Sequence, residues 1–216
     1  MQDPLLEIQN LHVTFDSKQI LKGFSAYLKT GEKIAIIGES GTGKSTLLKC
    51  ILGFICLDSG IIRISGKELS SKNVWELRKE IGYVPQEPDL GQGIVESALI
   101  RPFQFKANRE LMPDRDKIRD FFNQFRLEQE LLKKDITKLS GGEKQRIAII
   151  TALLLKRKIY LLDEATSALD EITRQAVVDY LKGHRELSLV AVTHDPHLLS
   201  ICRRSYMLNK SGRSKE

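Results

Sequence analysis

Residues 5–15 carry Leu6, Ile8, Leu11, Val13 and Phe15 against polar neighbours, an alternation of period two that slips once near Asn10, and residues 19–28 repeat it. Two antiparallel strands are therefore expected at the start. Ile34, Ala35, Ile36 and Ile37 then form an unbroken β-branched and apolar run, the signature of a strand buried on both faces. Asp58, Ser59 and Gly60 read as a turn before a strand over 61–65, residues 74–79 as a short helix, and residues 81–84 as a brief buried strand ending at Pro85-Gln86-Glu87-Pro88. From 93 to 156 the period becomes helical, with Ile118, Phe121, Phe122 and Phe125 on one stripe. Apolar runs over 158–162 and 187–192 predict two more buried strands, so the pattern is that of an α/β domain.

The chemistry clusters at the ends of those strands. Directly after residue 37 the chain reads Gly38, Glu39, Ser40, Gly41, Thr42, Gly43, Lys44, Ser45, Thr46 and then enters an apolar helix expected to reach Leu52 and stop at Gly53. Strand, glycine loop, Lys-Ser and helix in that order make a P-loop, in which backbone N–H groups and the helix start hold phosphate oxygens. Lys44 is placed to reach the β- and γ-phosphates and Ser45 to offer a hydroxyl to Mg²⁺. A plain glycine turn would not need Lys-Ser after its last glycine.

A second helix start of the same kind lies at Leu139-Ser140-Gly141-Gly142-Glu143, where Ser140 and Glu143 stand in capping-box spacing and the two glycines leave the first amides uncovered. An ordinary capped helix would explain Ser140 and Glu143 but not Gly141 and Gly142. The strand over 158–162 runs into Asp163 and Glu164, at the end where ligands of open α/β sheets bind. Asp163 suits a Mg²⁺ shell and Glu164 the polarisation of water for attack on a γ-phosphate, although acids after strands also serve as helix caps. His194 ends the strand over 187–192, ahead of Asp195 and Pro196, which read as N-cap and first residue of a helix. Gln86 can give a carbonyl to Mg²⁺ and an amide to the attacking water. Phe15, on the turn between the first two strands, either stacks on adenine or closes a strand into the core.

Composition adds less. The net charge of +6 suits an anionic partner but is spread along the chain. Cys50, Cys56 and Cys202 show no metal-like spacing and are read as reduced, cytosolic thiols. No basic and apolar leader and no run of the ~18 apolar residues that a span needs is visible, so a soluble chain of one domain is expected.

The order Phe15, 38–45, Gln86, 139–143, Asp163-Glu164, 167–170 and His194 resembles the ATP-binding subunit of ABC transporters over nearly the whole chain. The resemblance implies a P-loop NTPase with a RecA-like core sheet and an N-terminal antiparallel β subdomain (about 1–85 and 157–209), an inserted α-helical subdomain (about 86–156), and a frayed tail over 210–216. It implies an ATPase using ATP and Mg²⁺, with Phe15 as the adenine-stacking aromatic where the family more often has Tyr. Gln86 is similar to the Q-loop Gln, Ser140, Gly141 and Gly142 to the signature, Asp163 and Glu164 to Walker B and the catalytic Glu, Asp170 to the D-loop Asp and His194 to the switch His.

Partners implied are an integral-membrane permease and a second copy of the chain, paired on ATP as a homodimer at the cytoplasmic face of the membrane. Residues 99–105 and the short C-terminus look most like ATPase subunits of small iron or metal-exporter permeases. Two departures stand out: Glu143 replaces the commoner Gln, and Gly93-Ile94-Val95-Glu96-Ser97 replaces Thr-Val-x-Glu-Asn in the region facing the permease. A soluble ABC-type ATPase acting on nucleic acid or ribosomes is the competing reading; such chains usually carry two cassettes or a long interrupting coiled coil, so no nucleic acid is expected. Nucleotide binding without turnover would require Glu164 to be silent.

Overall fold

A computed structural model describes residues 3–16, 18–209 and 214–215. In chain order it contains β1 (Leu6–Phe15), β2 (Lys18–Leu28), β3 (Lys33–Ile37), α1 (Lys44–Ile51), β4 (Ser59–Ile64), β5 (Lys67–Glu68), α2 (Val74–Arg78) and β6 (Ile81–Val84). There follow α3 (Val95–Ile100), α4 (Arg115–Gln124), α5 (Gly141–Leu154), β7 (Ile159–Asp163), α6 (Glu171–Gly183), β8 (Ser188–Val192), α7 (Pro196–Ser200), β9 (Arg204–Leu208) and β10 (Ser214–Lys215).

The slip in the first strand is a bulge. Asn10 has a φ of 46°, the pairing of β1 with β2 shifts between Ile8 and Leu11, and the Asn10 N–H donates to the Ser25 hydroxyl at 2.9 Å. The extra residue returns Leu11 and Val13 to the face of Leu6 and Ile8, and all four are buried. With β4 and β5 these strands form an antiparallel sheet of order β2-β1-β4-β5. β4 begins at Ser59, which pairs with His12 beyond the bulge, so the expected turn at Asp58-Ser59-Gly60 already belongs partly to the strand.

The second sheet has the order β10-β9-β3-β8-β7-β6, with β9, β3, β8, β7 and β6 parallel. Its central strands are buried on both faces, and successive residues go to different cores. Ile159, Leu161, Val190 and Val192 pack with α1 and the antiparallel sheet, whereas Tyr160, Leu162, Leu189 and Ala191 pack with α5, α6 and the segment 95–139. Helix α1 stops as expected: Gly53 N–H donates to Cys50 O at 2.8 Å and Phe54 N–H to Lys49 O at 2.9 Å, the two bonds of a Schellman end. Burial in this layer pushes the Cys50 thiol up to about 12.

The helical insertion is less helical than its pattern suggests. Only α3, α4 and α5 are α-helices, and residues 101–104, 106–111, 129–133 and 136–138 are short 3₁₀ segments of one or two turns. Pro102 and Pro113 interrupt the stretch, and the Asn108 amide donates to Pro102 O at 2.8 Å, a local bond that competes with helix continuation. The aromatic stripe holds: Phe121 and Phe125 stack with centroids 6.0 Å apart, and Phe122 is fully buried. The tail expected to fray instead places Ser214 and Lys215 opposite Leu208 and Met207; residues 210–213 and 216 lie outside the described residues. No helix of the described residues is long and apolar enough to cross a membrane. Because Phe122 joins α4 to the core beneath β7, Phe122→Ala is expected to lower the unfolding free energy by about 3–5 kcal/mol in urea titrations.

Candidate functional site

Parallel pairing in register brings strand ends to one edge. Ile36 lies opposite Val192, Val192 opposite Asp163, and Leu162 opposite Val84. The residues that follow each strand therefore emerge side by side, around a cavity of about 370 Å³. The loop after β3 contributes Ser40, Gly41, Gly43, Lys44, Ser45 and Thr46 to its lining; Gln86 follows β6, Asp163 ends β7 with Glu164 behind it, and His194 follows β8. These are the residues that the sequence singled out.

Within the loop, the Lys44 ammonium donates to the carbonyls of Gly38 at 2.5 Å and Glu39 at 3.0 Å, and the Thr42 hydroxyl donates to Glu39 O at 2.9 Å. Gly43 has a φ of 99°, and a Cβ there would stand 2.7 Å from the Ile20 side chain, so the loop is pressed against β2 where only glycine fits. Ile20 also lines the cavity, which the sequence did not disclose. Its signal was weak, one apolar residue in an alternating strand.

The Ser45 hydroxyl donates to Asp163 Oδ1 at 3.1 Å, and Asp163 is only 4% exposed. On its other oxygen the Tyr83 hydroxyl donates at 3.4 Å; burial first, and then the neighbouring carboxylate, push that phenol up to about 12. Tyr83 is thus a further residue of the site, holding the carboxylate's orientation from β6. A hydroxyl and one carboxylate are hard oxygen donors, and this pair fits Mg²⁺, which takes one or two protein oxygens and leaves the other positions to phosphate and water.

Glu164 sits in the left-handed region with a φ of 49°, a conformation that costs a non-glycine residue about 1–2 kcal/mol. It is held there by its N–H donating to Val192 O at 2.9 Å and by Ser167, whose N–H and hydroxyl donate to the Glu164 carbonyl at 3.0 and 2.8 Å. The turn leaves the carboxylate at the cavity, with Oε1 3.7 Å from His194 Nε2. That separation is too long for a hydrogen bond but within ion-pair reach of a protonated imidazole. His194 is itself placed by Asp195, which caps α7, accepts from the Thr166 hydroxyl at 2.8 Å and faces Arg174 Nε at 3.7 Å.

Other predicted residues lie outside this lining. Phe15 ends β1 paired with Lys18 and is 46% exposed, so it does not close a strand into the core. Ser140 caps α5 in a complete capping box: its N–H donates to Glu143 Oε2 at 2.6 Å and the Glu143 N–H to its hydroxyl at 3.2 Å. Glu143 therefore caps as expected. Burial pushes its carboxyl up, but the bonds from Ser140 and the nearby Lys134 and Arg146 outweigh this and hold it below its ordinary value. A Cβ on Gly142 would come within 3.0 Å of Ala168 O, which gives that glycine a packing reason; at Gly141 the nearest atom is 4.0 Å away. Asp170 caps α6, accepting from Thr173 N–H at 3.0 Å, and that bond holds its carboxyl below its ordinary value. One link went unread: Gln145, 1% exposed, donates from α5 to Pro85 O at 3.1 Å, next to Gln86.

The ABC transporter family matches residues 21–167 of this chain. The chain is 38% identical over 195 residues to the probable iron export ATP-binding protein FetA of Escherichia coli, covering 89% of this chain and 85% of that protein. It is 35% identical over 201 residues to the energy-coupling factor transporter ATP-binding protein EcfA1 of Enterococcus faecalis, covering 89% and 71%. Among solved structures, cbiO1 of Clostridium perfringens, part of the cbiONQ transporter complex, superposes with a TM-score of 0.81 at 27% identity, over 100% of this chain and 88% of that one. A dimeric ATP-binding cassette in a post-hydrolysis state with ADP and Pi does so with a TM-score of 0.81 at 27% identity, over 98% and 97%. The phosphate loop, the acids at the end of β7 and the capped glycine pair of α5 all lie within the matched span, and the chain is a member of the ABC transporter family, an ATP-binding ATPase domain.

Proposed function

We propose that two copies of this chain close on two ATP molecules and drive a separate membrane permease from the cytoplasmic face, with iron or another metal as the exported cargo. The observation that carries the pairing is the separation of the two phosphate-type helix starts: 140–142 contribute nothing to the lining of the cavity that holds Lys44. A γ-phosphate held by Lys44 meets Ser140, Gly141 and Gly142 only if these come from a second molecule, in an isologous arrangement with two composite sites. The metal cargo is supported by the stretch 99–105 and by the likeness to FetA. The permease reading is supported by a groove of about 540 Å³ between Pro85, Pro88 and Leu90 on one side and Ala98 and Phe105 on the other, beside Gln86. Phe105 is 66% exposed there.

In the proposed mechanism the loop amides and Lys44 hold the phosphate chain, Phe15 stacks on the base, and Asp170 meets the opposing copy. Ser45, Asp163 and Gln86 would hold Mg²⁺, which when bound neutralises charge on the phosphate oxygens. Glu164 accepts hydrogen-bonding from the attacking water and draws off its proton, and His194 contacts the γ-phosphate beside it. Glu39, Ser40, Thr42 and Thr46 shape the loop without taking a proton.

Three outcomes check this reading. Glu164→Gln is expected to lower turnover by about 10²–10⁴ while ATP affinity is kept, as read by single-turnover phosphate release; unchanged release would remove Glu164 from the chemistry. Phe15→Ala should weaken ATP and GTP alike by about 1–3 kcal/mol in equilibrium binding, and Phe15→Tyr should cost little. Lys44→Ala and Ser140→Arg chains should each be inactive alone yet regain partial ATPase activity when mixed. In a mixed pair one composite site carries both lesions and the other neither; no recovery despite demonstrated exchange of chains would sink the shared site.

A further inference from the structure

The parallel strands have a second edge, at their amino ends, roughly 16 Å from the phosphate loop for five residues of strand. There a cavity of about 530 Å³ opens between α4, the end of α5 and the end of α6. Its walls include Phe121, Leu153, Tyr160 and Tyr180, and its mouth carries Lys117, Lys156, Arg157 and Lys158. Two of these cations have partners. Lys158 pairs with Glu80 at 3.1 Å and Arg157 Nη2 donates to Asn108 at 2.5 Å.

Lys117 and Lys156 are different. Both line the same cavity, and burial first and the neighbouring Lys156 next push Lys117 below its ordinary value, Asp114 opposing. Among the described residues neither forms a salt bridge. Lys156 is also held in the left-handed region, with a φ of 49°, as it leaves α5. Two like charges on the wall of one cavity repel, and a divalent oxyanion set between them turns that repulsion into two attractions. Apolar and aromatic walls with a few convergent polar groups are the usual make-up of a small-molecule site.

We propose that this cavity binds a phosphorylated small molecule, its phosphoryl group bridging Lys117 and Lys156 and its organic body lying against Leu153, Tyr160 and Tyr180. Glu186 at the rim excludes a body that carries further negative charge on that side. The site takes no part in ATP hydrolysis, lying at the other end of the strands, so its failure and the failure of the ATPase reading are separate results.

The test uses the full chain with ADP and Mg²⁺ saturating the phosphate loop, titrated calorimetrically with inorganic phosphate, ribose 5-phosphate and AMP. The expected result is that an organic phosphate binds at least tenfold more tightly than inorganic phosphate and slows amide exchange over 156–160 and 180–188. The double variant Lys117→Gln/Lys156→Gln should lose that binding by tenfold or more while ATPase activity stays unchanged. Absence of binding by every probe, equal binding of inorganic and organic phosphate, or full binding by the double variant would each overturn the proposal.

Discussion

The structure depends on parallel pairing between strands that are buried on both faces. Slipping β7 by one residue against β8 would carry Leu161 and Leu162 into each other's cores and move Asp163 away from Ser45. Because both faces are apolar, such a slip exposes nothing to water; what forbids it is the fit of side chains to two different layers. The level of the strand ends, and with it the distance between the phosphate loop and the acids, is therefore set by packing far from the chemistry.

Upon that frame the site is assembled from residues that cannot relax independently. Asp163 is bonded to Ser45 on one oxygen and Tyr83 on the other, so its position reports on α1, β6 and β7 together. Glu164 is pinned in an unfavourable backbone conformation by Val192 and Ser167, and Asp195, the residue after His194, is tied to Thr166 and Arg174. A carboxylate held this way spends little entropy when it meets a water molecule.

The sequence disclosed what is encoded in one stretch of chain: the loop 38–46, the capped helix start at Ser140, the acids after an apolar run, and even the bulge at Asn10. It was mute where function needs two elements in register. Tyr83 reads as one more residue of a short apolar strand until β6 is seen beside β7, and Ile20 as one apolar step in an alternating strand until Gly43 is seen against it. The 3₁₀ turns of 101–138 escaped because a helical period says which face is apolar, not whether each backbone bond reaches back three residues or four. β9 and β10 were missed for want of a long apolar run, since Arg204 and Ser205 open the first and only two residues make the second.

Gln145 joins the helix that begins at Ser140 to the residue just before Gln86, and it does so with one amide hydrogen while its buried carbonyl oxygen has no partner among the described residues. The same helix also packs on β6, whose Val84 lies in one buried cluster with Ile147 and Ile150. The position of Gln86 is therefore tied to the helix that begins at Ser140 both by this bond and by the packing of α5 on the strand before it, so a disturbance of that helix would be felt where the cavity is lined.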